Sequence, residues 1–176
     1  IKKDKIIKSI PKIHHEVNYV VSHSDLPKDL APDSILFAVK PQLMDLVLPD
    51  YIKFNTPNTT LISIAAGKPI AYFEKYFNPK TSIIRAMPNT PAAIQRGITV
   101  AYANKSLKSN EKRTANILLK AGGELHWVTN ESDLDAVTAL SGGGPAYVFL
   151  LVECLSEAGI EAGLSPELSH RLARVT

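Results

Sequence analysis

The chain has 176 residues, 45% of them hydrophobic, with a formal net charge of +3 and one cysteine. That is enough to bury a core as one domain or as one domain plus part of another, and acids and bases are too evenly mixed for a nucleic-acid footprint. Cys154 alone excludes an internal disulfide and fits a reducing cytoplasm, where it reads as a core filler; the longest apolar run, Ala146 to Val152, is too short to cross a bilayer.

Ile1-Lys2-Lys3-Asp4-Lys5 lacks the apolar core of a signal peptide. Lys2, Lys3, Lys5, Lys8 and Lys12 stand against Asp4 alone. They read as a solvated face or as a cofactor-phosphate site, in which Lys8 and Ser9 at a strand end would suit the 2′-phosphate of NADP. His14, His15 and His23 invite a metal reading, but no cysteine or carboxylate spacing completes a site, so none is assigned.

From Ser34 onward short apolar runs alternate with amphipathic segments, the signature of βαβ units and a parallel sheet. Ile35 to Val39 is a continuous apolar run, as in a strand covered on both faces, and Lys40-Pro41 ends it. Gln42 to Leu48 reads as a short helix, Asp50 to Asn58 as a loop and Thr60 to Ile64 as a second strand closed by Ala65-Ala66-Gly67. Helix Pro69 to Tyr76 leads to strand Ser82 to Met87, which stops at Pro88. Strand Thr99 to Tyr102, helix Glu111 to Lys120 and strand Glu124 to Val128 follow, with Trp127 expected in core or interface packing.

After Thr129 the strands stop. Ser132 to Leu140, Pro145 to Ala162 and Pro166 to the end carry helical spacing, with Ser165 as N-cap and Pro166 at the first helical position. The expected division is a dinucleotide-binding domain over 1–129 and a helical unit over 130–176. Helix Pro145 to Ala162 is apolar on nearly every side, so it must be buried against further chain or a second subunit.

In an open parallel sheet, ligands bind beyond the carboxyl ends of the strands. That places Ala38, Val39, Lys40 and Pro41, Ala65 and Ala66, and Met87 and Asn89 at one edge, the candidate cofactor residues. Small side chains there let a ribose and nicotinamide lie against backbone. Lys40 offers a charge or merely ends a strand in water; Asn89 offers an amide for nicotinamide or merely forms a turn. Arg85, on an apolar strand, needs a partner if buried. Ser141-Gly142-Gly143-Gly144-Pro145 reads as a loop whose glycines admit close approach and whose proline opens the next helix, with free N–H groups suited to a substrate carboxylate.

Four stretches in order, Phe37-Ala38-Val39-Lys40-Pro41-Gln42, Ser63-Ile64-Ala65-Ala66-Gly67, Arg85 to Pro91 and Asp135 to Tyr147, together resemble pyrroline-5-carboxylate reductase, the enzyme of the last step of proline synthesis. The resemblance implies a Rossmann-like α/β fold followed by an all-helical domain. It also implies NADP (or NAD) as cofactor, pyrroline-5-carboxylate as substrate, and a homodimer or higher homo-oligomer. It places Glu131 near the substrate, with Ser141, Gly142, Gly143, Gly144 and Pro145. The family's N-terminal strand, its G-x-G-x-x-G turn and its later Ser/Gly-rich loop are absent, so the chain reads as truncated. A non-catalytic remnant of the same fold and a related two-domain dehydrogenase are the alternatives. Against the second, the helix after the glycines carries no lysine.

Overall fold

The structure is a computed structural model, and it describes residues 18–176. Lys8, Ser9, His14, His15 and the lysine cluster fall outside the described residues. Five strands form one sheet in chain order: β1 (Ser34–Phe37), β2 (Thr60–Ser63), β3 (Ser82–Met87), β4 (Gly97–Ala103) and β5 (Gly123–Trp127). Helix α1 (Met44–Tyr51) connects β1 to β2, the single turn α2 (Ile70–Phe73) connects β2 to β3, and α3 (Ser109–Lys120) connects β4 to β5.

Those three connections join parallel neighbours, while β3 and β4 pair antiparallel with Met87 opposite Val100. The sheet is therefore mixed where the sequence suggested a parallel one. Residues 88–96 hold only a 3-10 turn, Thr90–Ile94, and a left-handed Gln95 at φ 61°. So short a connection cannot make a parallel crossover, which takes about a dozen residues.

Strands β2 and β3 are buried along their whole length, with Leu61-Ile62 and Ile83-Ile84 at their centres and the polar Thr60, Ser63, Ser82 and Arg85 buried with them. On one face Leu61 and Ile83 pack with Phe37, Met44, Leu48 and Phe73 beneath α1 and α2. On the other, Ile62, Ile84 and Ala86 meet Ala115 and Leu119 of α3, with Trp127 packed alongside. Trp127 also donates from Nε1 to Asn116 Oδ1 at 2.9 Å. Strand β1 departs from expectation, because Leu36 is 51% exposed. Helix α3 lies over the far side of the sheet, and among the described residues nothing covers β1 on that face.

The remaining helices are α4 (Asp133–Val137), α5 (Gly144–Glu161) and α6 (Pro166–Val175). Ser165 caps α6 by accepting from the Leu168 N–H at 3.4 Å, and Pro166 takes its first position, as the sequence predicts. Helices α5 and α6 pack through small residues, with buried Ser169 donating to the Ser156 carbonyl at 2.6 Å. No loop separates α4 from α5: a π-turn, Thr138–Gly142, joins them. Asp133–Glu161 thereby forms one 29-residue helical stretch, long and apolar enough by length and composition to cross a membrane. The apolar run inside it is short, but the helix is not. Tyr147, Val148, Phe149, Leu150, Leu151 and Leu155 are exposed in the single chain, and so is Cys154, which is no core filler here.

Candidate active site

Because β1, β2 and β3 are mutually parallel, their carboxyl ends reach the same edge of the sheet. After β1, Ala38 and Lys40 are exposed and Val39 and Pro41 half-buried; the Lys40 carbonyl accepts from the Leu43 N–H at 2.9 Å. After β2, the Ile64 N–H continues the pairing to the Phe37 carbonyl at 3.2 Å, and the Ser63 hydroxyl accepts from the Ala65 N–H at 3.2 Å. Ala65 is buried and Ala66 exposed. Gly67 then turns the chain at φ +69°, a backbone conformation that glycine adopts without steric cost. The result is a tight turn with little side-chain bulk at the strand end.

The third strand end meets the helical segment. Asn89 Oδ1 accepts from the Ile98 N–H at 3.0 Å, which fixes the amide, and Nδ2 donates to Ser141 Oγ at 3.4 Å. A methyl group at Gly142 would stand 3.5 Å from Met87 Sδ. Met87, Asn89, Ser141 and Gly142 therefore form one junction, two of them candidate cofactor residues and two candidate substrate residues. Ala65-Ala66 and Ala38 to Pro41 share the edge but lie one and two strands away from that junction, respectively.

The glycine stretch differs from the expected loop. Gly143 donates to the Thr138 carbonyl at 2.9 Å, the five-residue reach of a π-turn, and Ala146 and Tyr147 donate to the Gly143 carbonyl at 3.0 and 3.4 Å. Gly144, not Pro145, is the first residue of α5. Pro145 has no N–H, so of residues 144–147 only the Gly144 N–H lies outside these bonds. The amide cup read from the sequence is thus reduced to a bend. Its glycines instead allow close packing: a side chain at Gly143 would collide with the Tyr147 hydroxyl, which donates to the Ala139 carbonyl at 3.0 Å.

Glu131 also has a place that the sequence did not indicate. Its Oε1 accepts from Arg85 Nη1 at 2.7 Å and from the Ile70 N–H at 2.6 Å. The Arg85 side chain is 8% exposed and that of Glu131 29%. Arg85 thus has the partner that a buried cation requires, and the bond to Ile70 satisfies a free N–H at the start of α2. The carboxylate is engaged within the chain, tying together β3, the start of α2 and the β5–α4 linker.

A further cluster carries no sequence motif. Tyr72 and Tyr76 both donate to Asp45 Oδ1, at 2.8 and 2.7 Å, and Lys68 Nζ lies 3.9 Å from Asp45 Oδ2 and 4.1 Å from the Tyr72 ring centre. The hydrogen bond from Tyr76, and then that from Tyr72, hold the Asp45 carboxyl below its usual range. Desolvation, followed by the bond to Asp45, pushes the Tyr72 phenol well above its usual range. Elsewhere, His23 Nδ1 lies 3.1 Å from Asp50 Oδ2.

A mixed, mainly parallel sheet with helices on both faces, an open strand-end edge and a helical segment joined to that edge define a Rossmann-like α/β protein with an appended helical region. Comparison with known proteins adds a family likeness. Residues 131–176 match the family model for pyrroline-5-carboxylate reductase dimerisation. Pyrroline-5-carboxylate reductase of Pseudomonas aeruginosa is 38% identical over 160 residues, spanning 91% of this chain and 58% of that enzyme. That of Synechocystis is 41% identical over 142 residues, 81% and 52% of the two chains. The crystal structure of Plasmodium falciparum pyrroline carboxylate reductase with NADP bound superposes with a TM-score of 0.78 at 35% identity, covering 93% of this chain and 61% of that one. The chain is thus similar to pyrroline-5-carboxylate reductases along most of its length, and it spans about half the length of the curated relatives it matches.

Proposed function

We propose that the full-length protein carrying this chain reduces 1-pyrroline-5-carboxylate to L-proline by hydride transfer from NAD(P)H. The observation that carries the reading is the junction of Met87 and Asn89 with Ser141 and Gly142, where the open sheet edge meets the helical segment. The reading assigns residues 1–129 to the cofactor and 130–176 to substrate and assembly.

Bound reduced nicotinamide supplies the hydride. Exposed Ala38 and Ala66 and the tight turn at Gly67 fit such a group, since they leave backbone open to a flat ring at the strand ends. Lys40, exposed and with no ion pair among the described residues, lies at the same edge for an anionic or carboxamide group. Asn89, fixed by Ile98, presents its amide toward the helical side. Ser141, whose hydroxyl is within reach of the Asn89 amide, and the Gly144 N–H offer donors to a small carboxylate. The imine nitrogen carries its own proton, so placement does most of the catalysis. NADP is favoured over NAD because the Plasmodium falciparum homologue binds NADP.

The exposed apolar surface of α5 pairs with the same surface of a second copy, in keeping with the dimerisation match over residues 131–176. The length and apolarity of Asp133–Glu161 are then those of an interface helix. The reading is tested by adding pyrroline-5-carboxylate to the full-length protein and NADPH. Substrate-dependent loss of nicotinamide absorbance is expected, and no loss with either NADPH or NADH overturns the proposal.

A further inference from the structure

Two of the candidate cofactor segments are followed at once by helical turns that grip each other. Ala38 to Pro41 lead into α1, whose second residue is Asp45; Ala65-Ala66-Gly67 lead through Lys68 into α2, which carries Tyr72, with Tyr76 just beyond it. Both turns lie on the same face of the sheet, over Phe37, Leu61 and Ile83. One carboxylate oxygen receives both phenol protons, at 2.7 and 2.8 Å. Lys68 closes the group, its ammonium lodged between the second carboxylate oxygen and the Tyr72 ring. These bonds are charge-assisted and span the seam between the two segments.

The core beneath the helices does not call for this arrangement. Phe73 and Phe77 anchor the second segment and Met44 and Leu48 the first, all of them buried. The clasp lies above that core, on the solvent side, with the Asp45 side chain 60% exposed. Its position next to the strand-end turns, rather than the core, is what its bonds control. We propose that Asp45 is a positioning residue for the nicotinamide cofactor, holding the turn after β2 at a fixed distance from the loop after β1 through Tyr72, Tyr76 and Lys68. Asp45 itself contacts neither cofactor nor substrate. The inference rests on the cofactor reading above and specifies what keeps that part of the crevice in shape.

The test uses the full-length protein and three variants: Asp45→Ala, Asp45→Asn, and Tyr72→Phe combined with Tyr76→Phe. Asparagine keeps an oxygen that can accept both phenol protons, whereas alanine keeps none. The dissociation constant for NADPH, from fluorescence titration, should rise about three- to tenfold in Asp45→Ala and in the double variant. It should stay within about twofold of wild type in Asp45→Asn. The KM for NADPH should follow the same order, while kcat and the KM for the imino acid hold. Unchanged NADPH affinity in both Asp45→Ala and the double variant overturns the proposal and leaves the cofactor reading standing. A fall in melting temperature with equal losses in kcat and both KM values assigns Asp45 to general stability and also overturns it. A wild-type protein that binds neither NADPH nor NADH refutes the cofactor reading, and the clasp proposal falls with it.

Discussion

Replacing Glu131 with alanine removes two bonds from one oxygen, and the structure sets the scale of the damage. Arg85 would remain on a fully buried strand with its side chain 8% exposed and its ion-pair partner gone. Breaking a buried pair from one side costs about 3 to 5 kcal/mol. Glu131 is 29% exposed, so water entering the gap offsets part of this and a loss just below that range, about 2 to 3 kcal/mol, is expected. For a chain of this size that corresponds to a fall in Tm of about 4 to 12 °C. Urea unfolding of the full-length protein, followed by circular dichroism, gives the free energy directly. Arg85→Met removes the cation instead of stranding it, so the double variant Arg85→Met with Glu131→Ala should recover at least about 1 kcal/mol relative to the sum of the singles. Additive single effects, or a Glu131→Ala loss below about 0.5 kcal/mol, would refute the view that Glu131 serves Arg85.

Leu151→Asp puts a charge on the exposed apolar side of α5, where burial of a leucine stabilises an interface by about 1.5 to 3 kcal/mol; sedimentation of the full-length protein should show self-association weakened about tenfold or more, and reductase activity should fall with it. Asn89→Asp keeps the oxygen that accepts from Ile98 but loses the donor to Ser141, so NADPH affinity should drop about tenfold by titration. Burial pushes the Glu111 carboxyl up, but hydrogen bonds from Ser82 and from the Lys108 backbone outweigh it and leave it below its usual range. A lowered pKa means stabilisation present in full at neutral pH and lost as pH falls through the folded-state value. Glu111→Gln should therefore cost about 1 to 3 kcal/mol at neutral pH, and the gap from wild type should narrow on acidification below about pH 4.

Strands β2 and β3 were legible because Leu61-Ile62 and Ile83-Ile84 sit in short runs closed by Gly67 and Pro88, which suits the middle of a covered sheet. The reversal at β4 was not, since direction depends on what the connection can span and not on the strand's own residues. Three consecutive glycines read as a loop because glycine ordinarily weakens a helix; here the helix continues through them by a π-turn, and the missing side chain at Gly143 makes room for the Tyr147 hydroxyl. Arg85 announced that it needed an anion, but its sequence neighbourhood could not name Glu131, 46 residues away. Asp45 gave no signal at all, its partners lying 27 and 31 residues downstream in a segment read only as a short helix. The shared edge of the strand ends was thus readable from the strand order, whereas the contacts that hold the candidate site in shape are products of the fold.

Incubating the full-length protein with pyrroline-5-carboxylate and NADPH deuterated at the nicotinamide C4 position, then analysing the product by mass spectrometry and NMR, tests the central claim most directly. L-proline should form with deuterium on the carbon that was double-bonded to nitrogen. Proline without deuterium at that carbon from both face-labelled forms of NADPH, or no proline at all, would contradict hydride transfer as the reaction this chain supports.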